Sequence, residues 1–192
     1  MRPYLFAAAI LFFTACANNP APKATQQNNP VEEKPSFFPV TSYLKGQIFE
    51  IKEKGLAPIK YTTINHHTDS AYIKLEELDE LLKEFLHPQI DTANMAPFFT
   101  ESKFLDQTIN AVTFTYDSKV ILPDSLLFNH WDVYVDPETN KVKRIYMVKK
   151  SNSNTMLQLT WQSNQWCNIL TIVNSKDGVS KIEKEEKFSW DY

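Results

Sequence analysis

The sequence predicts an α+β fold, in which an antiparallel β-meander of about six strands carries two N-terminal helices packed on one face. Two helical stripes of apolar residues lie between residues 41 and 86. From residue 109 onwards, short runs of alternating polarity are separated by turn-forming residues, and connections this short force neighbouring strands to be antiparallel. The length of 192 residues allows one domain, and an aromatic content of 13% argues against disorder of the chain as a whole.

The chain begins with the pattern of a signal peptide. Arg2 precedes an uninterrupted apolar run over residues 4–13, which is shorter than the ~20 residues needed to cross a bilayer. The run ends in the segment FTAC, residues 13–16, in which a cysteine follows small residues. This segment resembles the lipobox of bacterial lipoproteins, and Phe13 in place of the usual Leu is similar to the departures found in Bacteroidota-type lipoproteins. No motif in the rest of the chain resembles a particular family.

The resemblance implies that residues 1–15 are a signal peptide and that Cys16 is the lipidated first residue of the mature chain. In lipoproteins of this kind the cysteine carries a diacylglyceryl group through a thioether and often an N-linked acyl chain such as palmitate. Two or more acyl chains anchor a protein stably, because each buried methylene contributes about 0.8 kcal/mol. The alternative is an ordinary signal peptide cut near Ala15, with no lipid on Cys16.

Residues 16–36 are predicted to form a flexible tether between the lipid and a single domain over residues 37–192. The tether is rich in Asn, Gln, Pro and Ala, and it has too little apolar surface to offset the entropy cost of ordering it. Its acidic pair, Glu32 and Glu33, lies well away from Cys16, whereas surface-export signals of Bacteroidota-type lipoproteins place acidic residues close behind the cysteine. We therefore expect a lipid-anchored protein of the cell envelope whose domain faces the periplasm.

The first part of the domain predicts two helices with a hairpin between them. An apolar stripe predicts the first helix over residues 41–54, followed by Gly55, which suits a left-handed C-cap. A run over 59–64 and a shorter one over 71–73 predict two strands joined by a polar turn. The second helix must end near His87, because the proline after it disfavours helical backbone in the preceding residue. Six apolar residues form the stripe of this helix: Leu75, Leu78, Leu81, Leu82, Phe85 and Leu86.

The C-terminal half predicts the meander. Residues 88–108 have a mixed pattern, in which a short helical turn is expected over 101–106. Beyond them, the strand-like runs are rich in β-branched and aromatic residues, and the separators are rich in turn residues. The helices are expected to cover one face of the resulting sheet. The six predicted strands are 109–117, 130–136, 141–149, 155–162, 166–174 and 179–190.

Charge and motifs exclude several classes of function. The net charge is −3, so the chain has no basic excess that would attract nucleic acid. It also contains no glycine-rich phosphate loop. His66 and His67 are adjacent rather than spaced to share an ion, so we expect a polar hairpin tip there and neither a metal nor another cofactor. Cys167 is expected to be a buried, inert thiol.

Aromatic residues cluster in the predicted sheet, and Trp131, Tyr146 and Trp161 are the candidates for a ligand groove. The strands over 141–149 and 166–174 are apolar on both faces, and such strands must be covered on both faces. The helices can cover only one. We predict that the sheet curls and leaves an apolar groove near Trp161 and Tyr146. The alternatives are that these rings belong to the core and that another segment or another subunit covers the second face.

These observations predict a non-catalytic binding or scaffolding domain that is tethered to the membrane through its N-terminal lipid. Its ligand would be an envelope protein, an apolar molecule or a glycan, and no catalytic residue is assigned. The competing hypothesis is an envelope glycan or peptidoglycan hydrolase, which requires two Asp or Glu carboxylates facing one cleft at roughly 5–10 Å separation. Asp132 and Asp136 flank one predicted strand and could line such a cleft.

Overall fold

A nine-stranded antiparallel sheet is the largest element among the described residues of the computed structural model. The structure describes residues 37–123, 126–175 and 177–190, which belong to one compact unit, Lys34–Tyr192. The predicted signal peptide, Cys16 and the tether lie outside the described residues. Within the described ranges, no helix is both long enough and apolar enough to cross a membrane.

The elements follow one another in a simple order. The helices are α1 (Val40–Glu53), α2 (Leu78–Leu81), α3 (Lys83–Leu86) and α4 (Thr92–Met95). The strands are β1 (Ile59–Ile64), β2 (His67–Tyr72), β3 (Phe99–Asp106), β4 (Ala111–Ser118), β5 (Phe128–Val135), β6 (Val142–Lys150), β7 (Thr155–Gln162), β8 (Trp166–Asn174) and β9 (Ser180–Ser189). Across the sheet the order is β2-β1-β9-β8-β7-β6-β5-β4-β3, and every neighbouring pair is antiparallel.

The predicted antiparallel meander is confirmed as β4 to β9, but the prediction of about six strands in the sheet is wrong. The β1–β2 hairpin joins the sheet because β1 pairs with the last strand, with Tyr61 opposite Lys187. At the other edge, β3 pairs with β4 along its whole length. The helical turn expected over 101–106 is therefore also wrong. The side chains of residues 100–105 are all exposed, so backbone pairing rather than a buried stripe fixes this strand.

The first helix begins and ends close to where the apolar stripe predicts. Its buried side chains include Leu44, Ile48 and Ile51, whose spacing matches one helical face. Gly55 has a φ of +63° and donates its N–H to the Lys52 carbonyl, while the next residue donates to the Ile51 carbonyl. These two bonds form a Schellman motif, which satisfies the last carbonyls of the helix.

The predicted second helix is interrupted. It consists of a 3₁₀ turn at Leu75–Glu77 followed by α2 and α3, and the two helices are separated by Leu82, whose φ of −102° and ψ of 10° are not helical. The interruption leaves Leu78, Leu82 and Phe85 fully buried. The described residues thus contain one long helix and several single turns rather than two long helices packed on the sheet. The chain leaves α3 at His87, whose extended backbone is what the following proline requires.

Asparagines make several of the tight turns between strands. Asn65 and His66 have φ values of 48° and 68°, and they are the only two residues between β1 and β2. Positive φ at both central positions is the requirement of a type I′ hairpin turn, whose twist matches that of the strands. Asn110, Asn140 and Asn164 also have positive φ, which asparagine tolerates better than most residues.

The core lies on one face of the sheet. Residues of α1, α2, α3 and α4 form a single buried cluster with side chains from β4 to β9. In this cluster the Phe85 ring of α3 meets the Trp161 ring edge-on, with centroids 5.4 Å apart. Phe37, just before α1, meets Tyr116 in the same way at 5.0 Å. We call this side of the sheet the helix-covered face.

Candidate functional site

The two faces of the sheet differ in burial. Side chains of directly paired residues lie on the same face, so the strand register assigns each position to a face. On the helix-covered face, paired residues of neighbouring strands form rows across the sheet. One row is buried over five successive strands and consists of Tyr116, Trp131, Met147, Leu159 and Ile169. The neighbouring row contains Trp161 and is buried over most of the same strands. The side chains of the helices and of the helix-covered face therefore form the hydrophobic core together.

The opposite face, which we call the open face, holds three rows of side chains that cross all nine strands. Its central row, from β3 to β2 in spatial order, is Ser102, Thr115, Asp132, Tyr146, Thr160, Asn168, Lys187, Tyr61 and Ser70. Each of these side chains carries a hydrogen-bonding group. At a strand spacing of about 4.8 Å, the row is about 38 Å long.

Two further rows flank the central one. The first is Phe104, Thr113, Tyr134, Arg144, Gln162, Trp166, Ser189, Ile59 and Tyr72. The second is Thr100, Asp117, His130, Val148, Gln158, Leu170, Glu185, Thr63 and Thr68. Across the three rows only Thr113 and Asp132 are buried, so the open face remains accessible over most of its extent.

His130 is the centre of the strongest polar network on the open face. Its Nδ1 lies 2.7 Å from Asp117 Oδ1, and its Nε2 lies 3.0 Å from Asp132 Oδ2. Asp132 also accepts a hydrogen bond of 2.6 Å from the Thr115 hydroxyl and one of 3.3 Å from the Tyr134 hydroxyl. The network thus ties β4 to β5 and fixes the orientation of the imidazole.

The partners of His130 determine its charge. A carboxylate only accepts hydrogen bonds, so an imidazole held between two carboxylates is best matched when both ring nitrogens carry a proton. Burial lowers the pKa of His130, but the hydrogen bonds and charges of Asp117 and Asp132 outweigh burial and raise the pKa above its usual range. The two carboxylates therefore favour the protonated form of the His130 imidazole.

Two tyrosines adjoin this network. Burial, with the nearby Asp132 carboxylate, raises the pKa of Tyr134 to about 12. The pKa of Tyr146 is raised in the same direction by the same two causes, and its ring centroid lies 6.4 Å from that of His130. Both phenols are therefore neutral hydrogen-bonding groups on an aromatic body, which suits contact with a polar ligand.

The structure does not bring the three predicted groove residues together. Trp131 and Trp161 are fully buried on the helix-covered face, where Trp131 stacks on Tyr116 with centroids 4.8 Å apart. Tyr146 follows the inward-facing Ile145 and is half-buried on the open face. Of the three, only Tyr146 lies where a ligand would reach it, because neighbouring residues of a strand point to opposite faces.

Aromatic rings recur across the open face. They lie on six of the nine strands and are Phe104, Tyr134, Tyr146, Trp166, Tyr61 and Tyr72. Three of them, on the outer strands, are exposed, with Tyr72 at 78% of its full accessibility. Trp166 is half-buried beside Lys187, whose ammonium lies 5.2 Å from the ring centroid. A depression of about 120 Å³ lies beside Tyr134, Arg144 and Gln162.

The histidines and the cysteine considered in the sequence analysis do not contribute to the open face. His66 is at the exposed turn of the β1–β2 hairpin, and His67 begins β2. No group of three or more His, Cys, Asp or Glu side chains in the described ranges is arranged to hold a metal ion. Cys167 is a free, buried thiol on the helix-covered face, and burial raises its pKa well above the usual value, which makes it unreactive.

Most of the open-face residues are not predicted from the sequence, although the strand over residues 128–135 contains a pattern that indicates some of them. From residue 130 onwards the odd positions Trp131, Val133 and Val135 are apolar and pack in the core, whereas the even positions are His130, Asp132 and Tyr134. A strand whose polar face contains an imidazole, a carboxylate and a phenol is unusual enough to mark a site. The partner Asp117 could not be found this way, because it lies on another strand.

Comparison with protein-family models, curated proteins and solved structures finds no match for this chain. The open face is therefore interpreted from its own chemistry, which is that of a broad surface with aromatic rings and many hydrogen-bonding groups. Such a surface is suited to contact an extended ligand without enclosing it.

Proposed function

We propose that this protein is a lipid-anchored binding domain of the cell envelope and that its ligand lies on the open face of the sheet. The observation that carries the proposal is the contrast between the faces. The chain's own helices complete the core on one side, while six aromatic rings remain at the surface on the other. Large accessible apolar groups that recur across one surface are typical of interaction sites.

The N-terminal segment supports the anchoring part of the proposal. The apolar run and the FTAC segment are similar to a lipoprotein signal, and the polar residues after Cys16 separate the lipid from the folded domain. A tether of about twenty such residues has a root-mean-square length on the order of 25 Å. The domain would stay near the membrane and still reach ligands in the periplasm.

Replacement of Cys16 by alanine is expected to abolish lipidation and to move the protein from the membrane fraction to the soluble fraction or to stall the precursor. The reason is that membrane attachment would depend on acyl chains alone. Mass spectrometry of the mature N-terminus checks this directly. A wild-type chain without lipid on Cys16 would remove the anchoring part of the proposal.

Photo-crosslinking tests the binding part. With p-benzoyl-phenylalanine at position 146, on the open face, irradiation of living cells is expected to give adducts of higher mass. The same group at position 49 is the matched control, because Phe49 is 62% exposed on α1, away from the open face. Adducts from position 49 alone, or equal yields from both positions, would contradict binding at the open face.

A hydrolase acting on envelope glycans has one observation in its favour, since Asp117 and Asp132 lie on the open face with His130 between them. The contacts of these groups favour binding instead. Asp132 accepts three hydrogen bonds from side chains of its own domain, and both nitrogens of His130 face carboxylates. These hydrogen bonds occupy the groups that general acid–base catalysis would need.

A further inference from the structure

The charges of the open face limit the class of ligand. Its three rows contain three acidic side chains, Asp117, Asp132 and Glu185, and three basic ones, His130, Arg144 and Lys187. With His130 protonated these charges balance. A polyanion such as a nucleic acid or an acidic polysaccharide depends on uncompensated basic groups, which this face lacks.

Most of the charged groups are also engaged within the face. His130 is held by its two carboxylates, and Arg144 donates from Nε to Gln162 Oε1 over 3.1 Å. Glu185 accepts from Asn168 Nδ2 over 3.0 Å. What the face offers to a ligand is therefore mainly neutral, namely hydroxyl and amide groups and the faces of aromatic rings.

The middle of the face combines these groups at short range. Tyr146 and Trp166 lie two strands apart, and the strand between them contributes Thr160 and Gln162. Asn168, next to Thr160 in the central row, donates from Nδ2 to Glu185 and has a buried side-chain oxygen, so the groups at the surface here are those of Thr160 and Gln162. Rings for stacking thus alternate with donors and acceptors, a pattern that an aliphatic ligand would leave unsatisfied.

The shape of the face favours a polymer over a small molecule. Enclosed sites for small molecules have volumes of about 300–1,000 Å³, whereas the depression beside Tyr134 holds about 120 Å³. The central row, in contrast, crosses all nine strands. A ligand that used this surface fully would be extended and would lie across the strands.

We propose that the open face binds an uncharged polysaccharide chain laid across the strands, with sugar rings stacked on Tyr146 and Trp166 and hydroxyl groups bonded to Thr160 and Gln162. A sugar ring matches this surface because its C–H face packs on an aromatic ring while its hydroxyls exchange hydrogen bonds at the edge. The proposal rests on the proposed function, in that it names the ligand of the same face.

Retention on insoluble polysaccharides tests the proposal. The full chain, purified in mild detergent, is mixed with cellulose, chitin, starch and xylan, and with heparin beads as an acidic polymer. We expect retention on at least one uncharged polysaccharide that high salt does not release. Tyr146→Ala and Trp166→Ala are each expected to weaken it about tenfold, which corresponds to the loss of one good stacking contact.

Matched variants keep the test specific. Phe49→Ala removes an exposed ring from α1 and should bind as the wild type does, while Tyr146→Phe keeps the ring and should retain most of the binding. Thermal unfolding confirms that each variant is folded. No retention on any uncharged polysaccharide, retention only on heparin, or equal retention of Tyr146→Ala, Trp166→Ala and wild type would overturn the glycan proposal.

Photo-crosslinking distinguishes a failure of the glycan proposal from a failure of the proposed function. If position 146 still gives adducts in cells when no polysaccharide is bound, and these adducts contain protein, the open face is a protein-binding surface and only the ligand class is wrong. If position 146 gives no adducts and no polysaccharide is retained, both proposals fail.

Discussion

Replacing Trp161 with alanine is expected to lower the free energy of unfolding by about 3–5 kcal/mol, the usual cost of removing a large ring from a core. Trp161 is fully buried, and its ring meets those of Phe85 and Trp190 at centroid distances of 5.4 and 5.1 Å. In a domain of this size the loss corresponds to a decrease in Tm of roughly 6–20 °C. Urea unfolding followed by circular dichroism measures it.

Two further variants test whether the loss of stability is due to the buried position of the Trp161 ring. Trp161→Phe should cost only about 1–2 kcal/mol, because a ring remains and the buried indole N–H, which has no partner among the described residues, is removed. Trp166→Ala, on the open face, should cost about 1 kcal/mol or less. If Trp166→Ala destabilised the protein more than Trp161→Ala, our assignment of the two faces would be incorrect.

Replacing Lys149 with methionine is expected to lower the free energy of unfolding by about 2–4 kcal/mol. Lys149 is 5% exposed on the helix-covered face. Its ammonium donates to the Glu84 carboxylate over 2.6 Å and to the backbone carbonyls of Glu84 and His87. All three of its protons thus bind groups at the end of α3, and methionine would fill the space but leave those acceptors without a donor.

The neighbouring lysine provides the control for this variant. Lys150 is exposed, so Lys150→Met should change stability by no more than about 0.5 kcal/mol. In the double variant Lys149→Met with Glu84→Gln, part of the loss should be recovered, since no unpaired carboxylate remains. Denaturant unfolding of the four chains tests both expectations, and a Lys149→Met protein as stable as Lys150→Met would show that Lys149 does not hold α3 to the sheet.

Some residues of the open face could be predicted from the sequence, and others could not. From residue 130 onwards, the even positions of β5 carry His130, Asp132 and Tyr134, and their common orientation follows from the period of two along a regular strand. The residues that contact them on neighbouring strands cannot be predicted from this alternation. Asp117 meets His130 only because β4 pairs with β5 in one register, and Tyr146 adjoins them only because β6 pairs on the other side.

By itself, the sequence determined the features that depend on neighbours along the chain. The first helix and its glycine cap follow from the apolar spacing around Ile48 and from the conformational freedom of Gly55. The alternation of apolar and polar residues within β5 and β7 predicts that Trp131 and Trp161 lie on the same face as the other apolar residues of their strands. These features depend on backbone conformations that each segment favours locally.

Only the tertiary structure decided which distant segments meet. β3 has no buried stripe and exists as an edge strand because β4 offers it a row of backbone hydrogen bonds. β1 closes onto β9 across more than a hundred residues of sequence, and Lys149 is buried only because α3 ends above it. Strand pairing uses backbone groups that every residue has, so the register that separates Tyr146 from Trp161 is fixed by how the whole sheet packs.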